Sequence, residues 1–157
     1  MRILLTLALL FVSATSASPD EPHDAFTKDG IVRRMRAVRD YQLAHPWKET
    51  DRNWIRATYY TGVMGLYRTT GDPEILDQAV RWAEKHEWAE GNERERANQK
   101  TCGQTYLELY FLDPDPTKIA KTKDYVDPRI ETIRAGESPT KGRDYCDTLY
   151  VGPPTLA

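Results

Sequence analysis

The stretch W-I-R-A-T-Y-Y-T-G-V-M-G-L-Y-R-T-T-G-D-P, residues 54–73, decides the fold class. Trp54, Ala57, Tyr60, Met64 and Tyr67 recur at steps of three or four, the spacing of one helix face. The run closes on T-G-D-P. Gly71 suits the left-handed residue that ends a helix, Asp72 the cap of the next helix and Pro73 its first position. One helix stops and another starts within two residues, which predicts an antiparallel helical hairpin.

The same pattern extends in both directions. Upstream, Ile31, Met35, Val38 and Leu43, with Tyr41 nearby, form an apolar stripe that His45-Pro46 should stop. Downstream, Ile75, Leu76, Ala79, Val80, Trp82 and Ala83 form another. Ala97 through Phe111 reads as a further long helix carrying Leu107 and Leu109, ended by D-P-D-P at 113–116. Asp115-Pro116 opens the next helix, running from Ile119 to Ile133, and Asp127-Pro128 is expected to break or kink it. Trp47, Trp82 and Trp88 read as core or hairpin-packing residues. No stretch alternates with period two, so no sheet is expected and the class is all-α.

A longer repeat lies over the short one. Trp54, Tyr60, Gly62 and Leu66 are matched at identical offsets by Asp144, Tyr150, Gly152 and Leu156. The shift equals two helical hairpins of about 45 residues each, the size of a helical-repeat unit. Hairpins of this kind cover their apolar faces by stacking into an open solenoid or a closed toroid. A toroid of six hairpins needs on the order of 200 residues at ordinary helix and loop lengths. The expectation is therefore the N-terminal part of such a toroid, incomplete in this chain.

The first residues differ from the rest. Arg2 precedes the apolar run I-L-L-T-L-A-L-L-F-V, and S-A-T-S-A follows with small residues where a signal peptidase cuts. Residues 1–17 read as a secretory signal peptide, 18–25 as a polar tether and 26–157 as one helical domain. The apolar run is too short to span a bilayer. A soluble, periplasmic or secreted chain is expected, with no membrane association after cleavage. Losing Arg2 with the leader moves the net charge from −2 to −3. The densest basic cluster, R-R-M-R at 33–36, lies on a helical pattern and reads as a solvated face, so nucleic acid is not an expected partner. Cys102 and Cys146 sit in apolar surroundings. An oxidising compartment permits a bridge between them, and free cysteine packs there equally well as a small hydrophobe. The cysteines and His23, His45 and His86 show no metal-ligand spacing.

Chemistry enters at Y-C-D-T-L-Y-V-G-P-P, residues 145–154. Asp147 stands among Tyr145, Cys146, Leu149, Tyr150 and Val151. Two readings stay open. With Asp144 as a helix cap, Asp147 falls three positions later, where a carboxylate favours the helix dipole. Alternatively, a carboxyl among apolar groups loses solvation, its pKa rises, and it becomes a general acid near neutral pH.

This segment, together with G-Q-T-Y-L-E-L-Y at 103–110 and T-G-D-P at 70–73, resembles the unsaturated glucuronyl and rhamnogalacturonyl hydrolases of glycoside hydrolase family 105. The similarity runs from about Phe26 to Ala157. It implies an (α/α)6 barrel of six hairpins acting on oligosaccharides that carry a 4,5-unsaturated uronic acid, such as those left by pectin lyases. The family pattern W-x-D-A-L-[FY]-M-[AG]-P-P places its catalytic aspartate at Asp147, with Tyr145, Thr148 and Val151 departing from it. The family's A-D-D-x-x-x-G-Q-T becomes A-N-Q-K-T-C-G-Q-T here. Asn98 can hydrogen-bond a sugar hydroxyl but holds no proton, which argues against a two-carboxylate mechanism. Trp54 falls where the family tends to place an aromatic near the sugar ring; a hairpin-core role fits it equally. The implied chemistry, hydration of the C4=C5 bond, needs no metal and no organic cofactor, and the implied partner is the oligosaccharide. The reading of another class is a non-catalytic helical-repeat module that binds glycans or protein partners through a concave face.

Overall fold

A computed structural model describes residues 22–46, 52–91, 100–138, 150 and 153–156. Among these the chain is helical, with no strand. A 3-10 turn, Pro22–Phe26, leads into α1 (Lys28–Ala44). Then follow α2 (Trp54–Thr70), α3 (Pro73–Lys85), α4 (Thr101–Leu112), a second 3-10 turn at Pro116–Lys118, α5 (Ala120–Arg134) and the short α6 (Pro153–Leu156). The first turn occupies part of the segment read as a tether. It lies directly on α1, where a Cβ on Gly30 would fall 1.7 Å from the Asp24 carbonyl oxygen.

The turn chemistry read from 54–73 is realised. Gly71 has φ 68°, in the left-handed region, and its N–H bonds the Tyr67 carbonyl. Asp72 caps α3 by accepting from the Glu74 N–H at 3.0 Å, and Pro73 opens the helix. Thr27 and Asn53 cap α1 and α2 in the same manner. His45 ends α1 ahead of Pro46, its ring stacked 4.3 Å from that of Tyr41.

Helix α2 is the hub, with α1, α3 and α4 packed around it. Ala57, Met64 and Leu66 from α2, Ile75, Ala79 and Trp82 from α3, and Cys102, Tyr106 and Leu109 from α4 form one core. Trp82 is its centre. It stacks on Tyr60 at 4.0 Å and tilts against Tyr106 at 5.5 Å. Trp88 also meets Tyr106, edge to face at 5.6 Å, so Trp82 and Trp88 both pack as expected. The chain leaves α3 through two consecutive left-handed residues, Glu87 (φ 51°) and Trp88 (φ 56°), a conformation costing about 1–2 kcal/mol per non-glycine residue. The contact of the Trp88 ring with Tyr106 offsets part of that cost.

One expectation needs correction, the break of α5. Pro128 does not end α5, which continues to Arg134. The missing N–H leaves the carbonyl of Asp124 without its helical donor, and Asp124 and Pro128 both lie on the exposed side, where water takes its place. Burial of Thr122 and Val126 on the opposite side keeps the helix seated. Helix α4 starts at Thr101, after Lys100, and residues 97–99 of the expected helix lie outside the described residues. So do Trp47 and the first member of the second repeat, Asp144.

Candidate active site

Both family motifs converge on the amino-terminal turn of α4. Thr101, Cys102, Gly103, Thr105 and Tyr106 are buried there. The side-chain amide of Gln104 donates to the carbonyl of Tyr150 at 2.7 Å. The hydroxyl of Thr155 donates to the carbonyl of Lys100 at 3.1 Å. Gly103 is needed for this approach: a Cβ there would stand 2.9 Å from the Thr155 methyl and 3.1 Å from a Glu90 oxygen. Gln104 and Tyr150, 46 residues apart, are thus joined directly.

Below that turn lies a buried ion pair. The Lys100 ammonium donates to Glu90 at 2.6 Å, with the two side chains 9% and 8% exposed. The same ammonium sits 3.4 Å from the centre of the Tyr125 ring. Burial raises the pKa of Glu90 above the usual glutamate value, against the opposing pull of the Lys100 hydrogen bond and charge. Nothing periodic marks this pair in the sequence, and the sequence reading did not single it out. The signal was its bracketing of the A-N-Q-K-T-C-G-Q-T stretch, with an acid before and a base within.

Cys102 is a free, buried thiol whose Sγ lies 3.4 Å from the Arg52 carbonyl. Burial, and then the nearby Glu90 charge, push its pKa up to about 12. It is a packed thiol and not a thiolate nucleophile. Burial likewise raises Tyr106, whose hydroxyl donates to the Ala89 carbonyl at 2.9 Å.

Trp54 is the first residue of α2 and is 38% exposed, so part of its ring is open to solvent. Asp147 and Asn98 lie outside the described residues, as do Gln99 and Cys146. Described residues flank both: Lys100 follows Asn98 by two positions, and Tyr150 follows Asp147 by three. Among the described residues no group of His, Cys, Asp and Glu is arranged to hold a metal ion, and no helix is long and apolar enough to cross a membrane.

Packed helical hairpins, with Gln104 and Tyr150 joined at one helix end, place the described residues in the all-helical, hairpin-built class of folds. The sequence profile of Glycosyl Hydrolase Family 88 matches residues 27–157, and the chain belongs to that family. It is also similar to a solved structure named as a polysaccharide lyase, with 26% sequence identity and a TM-score of 0.61. That similarity covers 79% of this chain and 38% of the lyase chain. No curated protein matches the sequence.

Proposed function

We propose that this chain carries the acid-bearing part of an exported glycoside hydrolase that removes a 4,5-unsaturated uronic acid from the non-reducing end of pectin-derived, rhamnogalacturonan-type oligosaccharides. The observation that carries the reading is the Gln104–Tyr150 hydrogen bond. It joins the G-Q-T-Y motif to the segment that contains Asp147, within a chain that belongs to Glycosyl Hydrolase Family 88. Membership of that family, in place of the related family 105, keeps the unsaturated glucuronyl substrates of glycosaminoglycan type in play. Export rests on Arg2 and the apolar run that follows it.

The chemistry needs one carboxyl and one water. The substrate is a vinyl ether, its C4=C5 bond next to the ring oxygen. Protonated Asp147 gives its proton to C4, and the positive charge that develops at C5 is shared with the ring oxygen. The carboxylate left behind accepts a proton from water as that water attacks C5. The resulting hemiketal opens and releases the next sugar, and Asp147 ends protonated. Asn98 hydrogen-bonds a sugar hydroxyl, and Trp54 offers a ring face to the sugar.

The assay is loss of the ultraviolet band of the unsaturated uronide, run on rhamnogalacturonan-type and glycosaminoglycan-type disaccharides. Asp147→Asn should lower the rate roughly 100-fold or more in a form that turns over, because the proton donor is gone. Asp144→Asn should cost little. A dead Asp144→Asn beside an active Asp147→Asn would overturn the assignment. The second reading, a non-catalytic module, draws on Asn98 and on an open apolar groove of about 370 Å³ between α1 and α2. It predicts saturable glycan or protein binding with no spectral change.

A further inference from the structure

Arg56, in the first turn of α2, is 7% exposed. A buried guanidinium needs an anion or a full set of acceptors. Arg56 has neither among the described residues. Its Nη1 donates to Gln42 Oε1 at 3.3 Å, a neutral acceptor at long range, and its Cζ lies 5.2 Å from the centre of the Tyr59 ring. No described carboxylate pairs with it: Asp40 turns to Arg39 at 3.6 Å, and Asp72 to Arg36 at 2.9 Å. Most of its N–H donors are therefore unclaimed there. With Gln42, Val38, Ile55 and Tyr59, Arg56 lines a cavity of about 350 Å³. That cavity shares Val38 and Tyr59 with the apolar groove of about 370 Å³ between α1 and α2. Beyond Tyr59 the groove is walled by Ile31, Met35, Val63 and Leu66, and the charged residues that line it, Arg34 and Arg39, are both basic. Lys28, Arg33, Arg34, Arg36 and Arg39 outweigh Asp29 and Asp40 on α1, so the field over this face favours an anion.

We infer that α1 and α2 form a binding site for a lipophilic monocarboxylate, with the carboxylate on Arg56 and Gln42 and an apolar chain along the groove. The guanidinium offers paired donors that match the two oxygens of one carboxylate. The Gln42 amide already accepts from Arg56, and its own N–H groups can donate to the same anion. The groove sets the rest of the molecule. A sugar acid fits poorly, since its hydroxyls would lose water against Ile31, Met35, Val63 and Leu66 without gaining bonds. An aliphatic chain loses nothing there and removes exposed apolar surface from water. From Ile31 to Val38 helix α1 advances about 10 Å, enough to cover a chain of medium length. The site does not depend on the reading of Asp147.

Octanoate is the probe, with 1-octanol and acetate as its two halves. Calorimetric titration of the full chain should show saturable octanoate binding with Kd below about 1 mM. 1-Octanol has the chain without the charge, and acetate the charge without the chain. Each should bind at least about tenfold more weakly. Arg56→Gln should weaken octanoate about tenfold or more and leave 1-octanol within about twofold. Arg56→Lys should keep part of the preference for the acid, because it keeps the charge and loses the paired donors. Thermal unfolding gives an independent reading. Without ligand, Arg56→Gln should unfold no earlier than the parent chain, because it removes a buried charge that lacks a counter-ion. Octanoate should raise the Tm of the parent and not that of Arg56→Gln. Equal affinity for octanoate and 1-octanol overturns the proposal, since the charge then plays no part. Equal affinity for octanoate and acetate overturns it as well, since the chain then plays none. A large fall in Tm for Arg56→Gln would show the guanidinium to be satisfied within the fold and would remove the site. No saturable binding also overturns it, whether the groove stays open or, as sedimentation would show, is filled by a second copy.

Discussion

Helices α1 and α3 read alike in sequence, and the structure treats them in opposite ways. Each carries an apolar stripe at helical spacing. In α3, Ile75, Ala79, Trp82 and Ala83 are buried. In α1 only Gly30 is buried, while Ile31, Val38 and Leu43 are 46–58% exposed. The stripe of α1 lines a groove with Tyr59, Val63 and Leu66 of α2. Val32 and Met35 rest against the core, and polar bonds also fasten α1. Arg36 reaches Asp72 at 2.9 Å, and Arg39 reaches Gln78 at 2.7 Å; Gln78 in turn donates to Tyr59 at 2.8 Å. Periodicity announces that a face exists. Whether that face is covered depends on what lies across from it.

The largest effect should fall on the buried side. Trp82→Ala removes the ring between Tyr60 and Tyr106 and should cost about 3–5 kcal/mol, read from urea denaturation. A loss below about 1 kcal/mol would mean that the α3 face is no better packed than that of α1, and the contrast would fail.

Next comes the polar heart of the buried side. Lys100→Met should cost about 3 kcal/mol, because Glu90 then stands buried without its cation. Adding Glu90→Gln should recover most of that loss. Acidity gives a second handle. Burial holds the folded pKa of Glu90 above its unfolded value, so the native state binds more protons between the two values. This contribution to stability is therefore greatest at low pH and falls as pH rises through that window. Glu90→Gln should flatten the fall, and a pH–stability profile unchanged by the substitution would remove Glu90 as its source.

Gly103→Ala should be intermediate. Its methyl would crowd Thr155 and Glu90 and cost about 1–3 kcal/mol, with unfolding measured at constant pH. A neutral result would show that the contact between α4 and α6 has slack.

The smallest effect belongs to α1. Val38→Ala, at a site 58% exposed, should change stability by no more than about 0.5 kcal/mol. A loss above about 1 kcal/mol, especially one that varies with protein concentration, would show the groove to be covered in solution, and sedimentation would identify a second copy as the cover.

Much of this molecule was legible as a string. The end of α2 and the start of α3 follow from T-G-D-P, because glycine, aspartate and proline each have a local backbone reason for their place. The stop at His45-Pro46 and the all-helical class follow equally from local rules. The site was legible in a different way. Its two motifs stand out as strings by their likeness to a family, and nothing in their spacing says that Gln104 touches Tyr150. Asp147 and Asn98, the residues on which the proposed chemistry turns, lie outside the described residues, and their proposed roles rest on the sequence alone.

The sequence by itself determined the caps and the hairpin turn, since these depend on neighbours a few residues away, and its motifs pointed to family 105, a relative of the family 88 that the chain belongs to. Tertiary structure decided three other matters. It carried α5 through Pro128, because the lost hydrogen bond faces water. It paired Glu90 with Lys100 beneath the first turn of α4, and it buried the stripe of α3 while leaving that of α1 open. The physical reason is common to all three. Solvation and packing are set by groups distant in sequence, and no local pattern records which groups those will be.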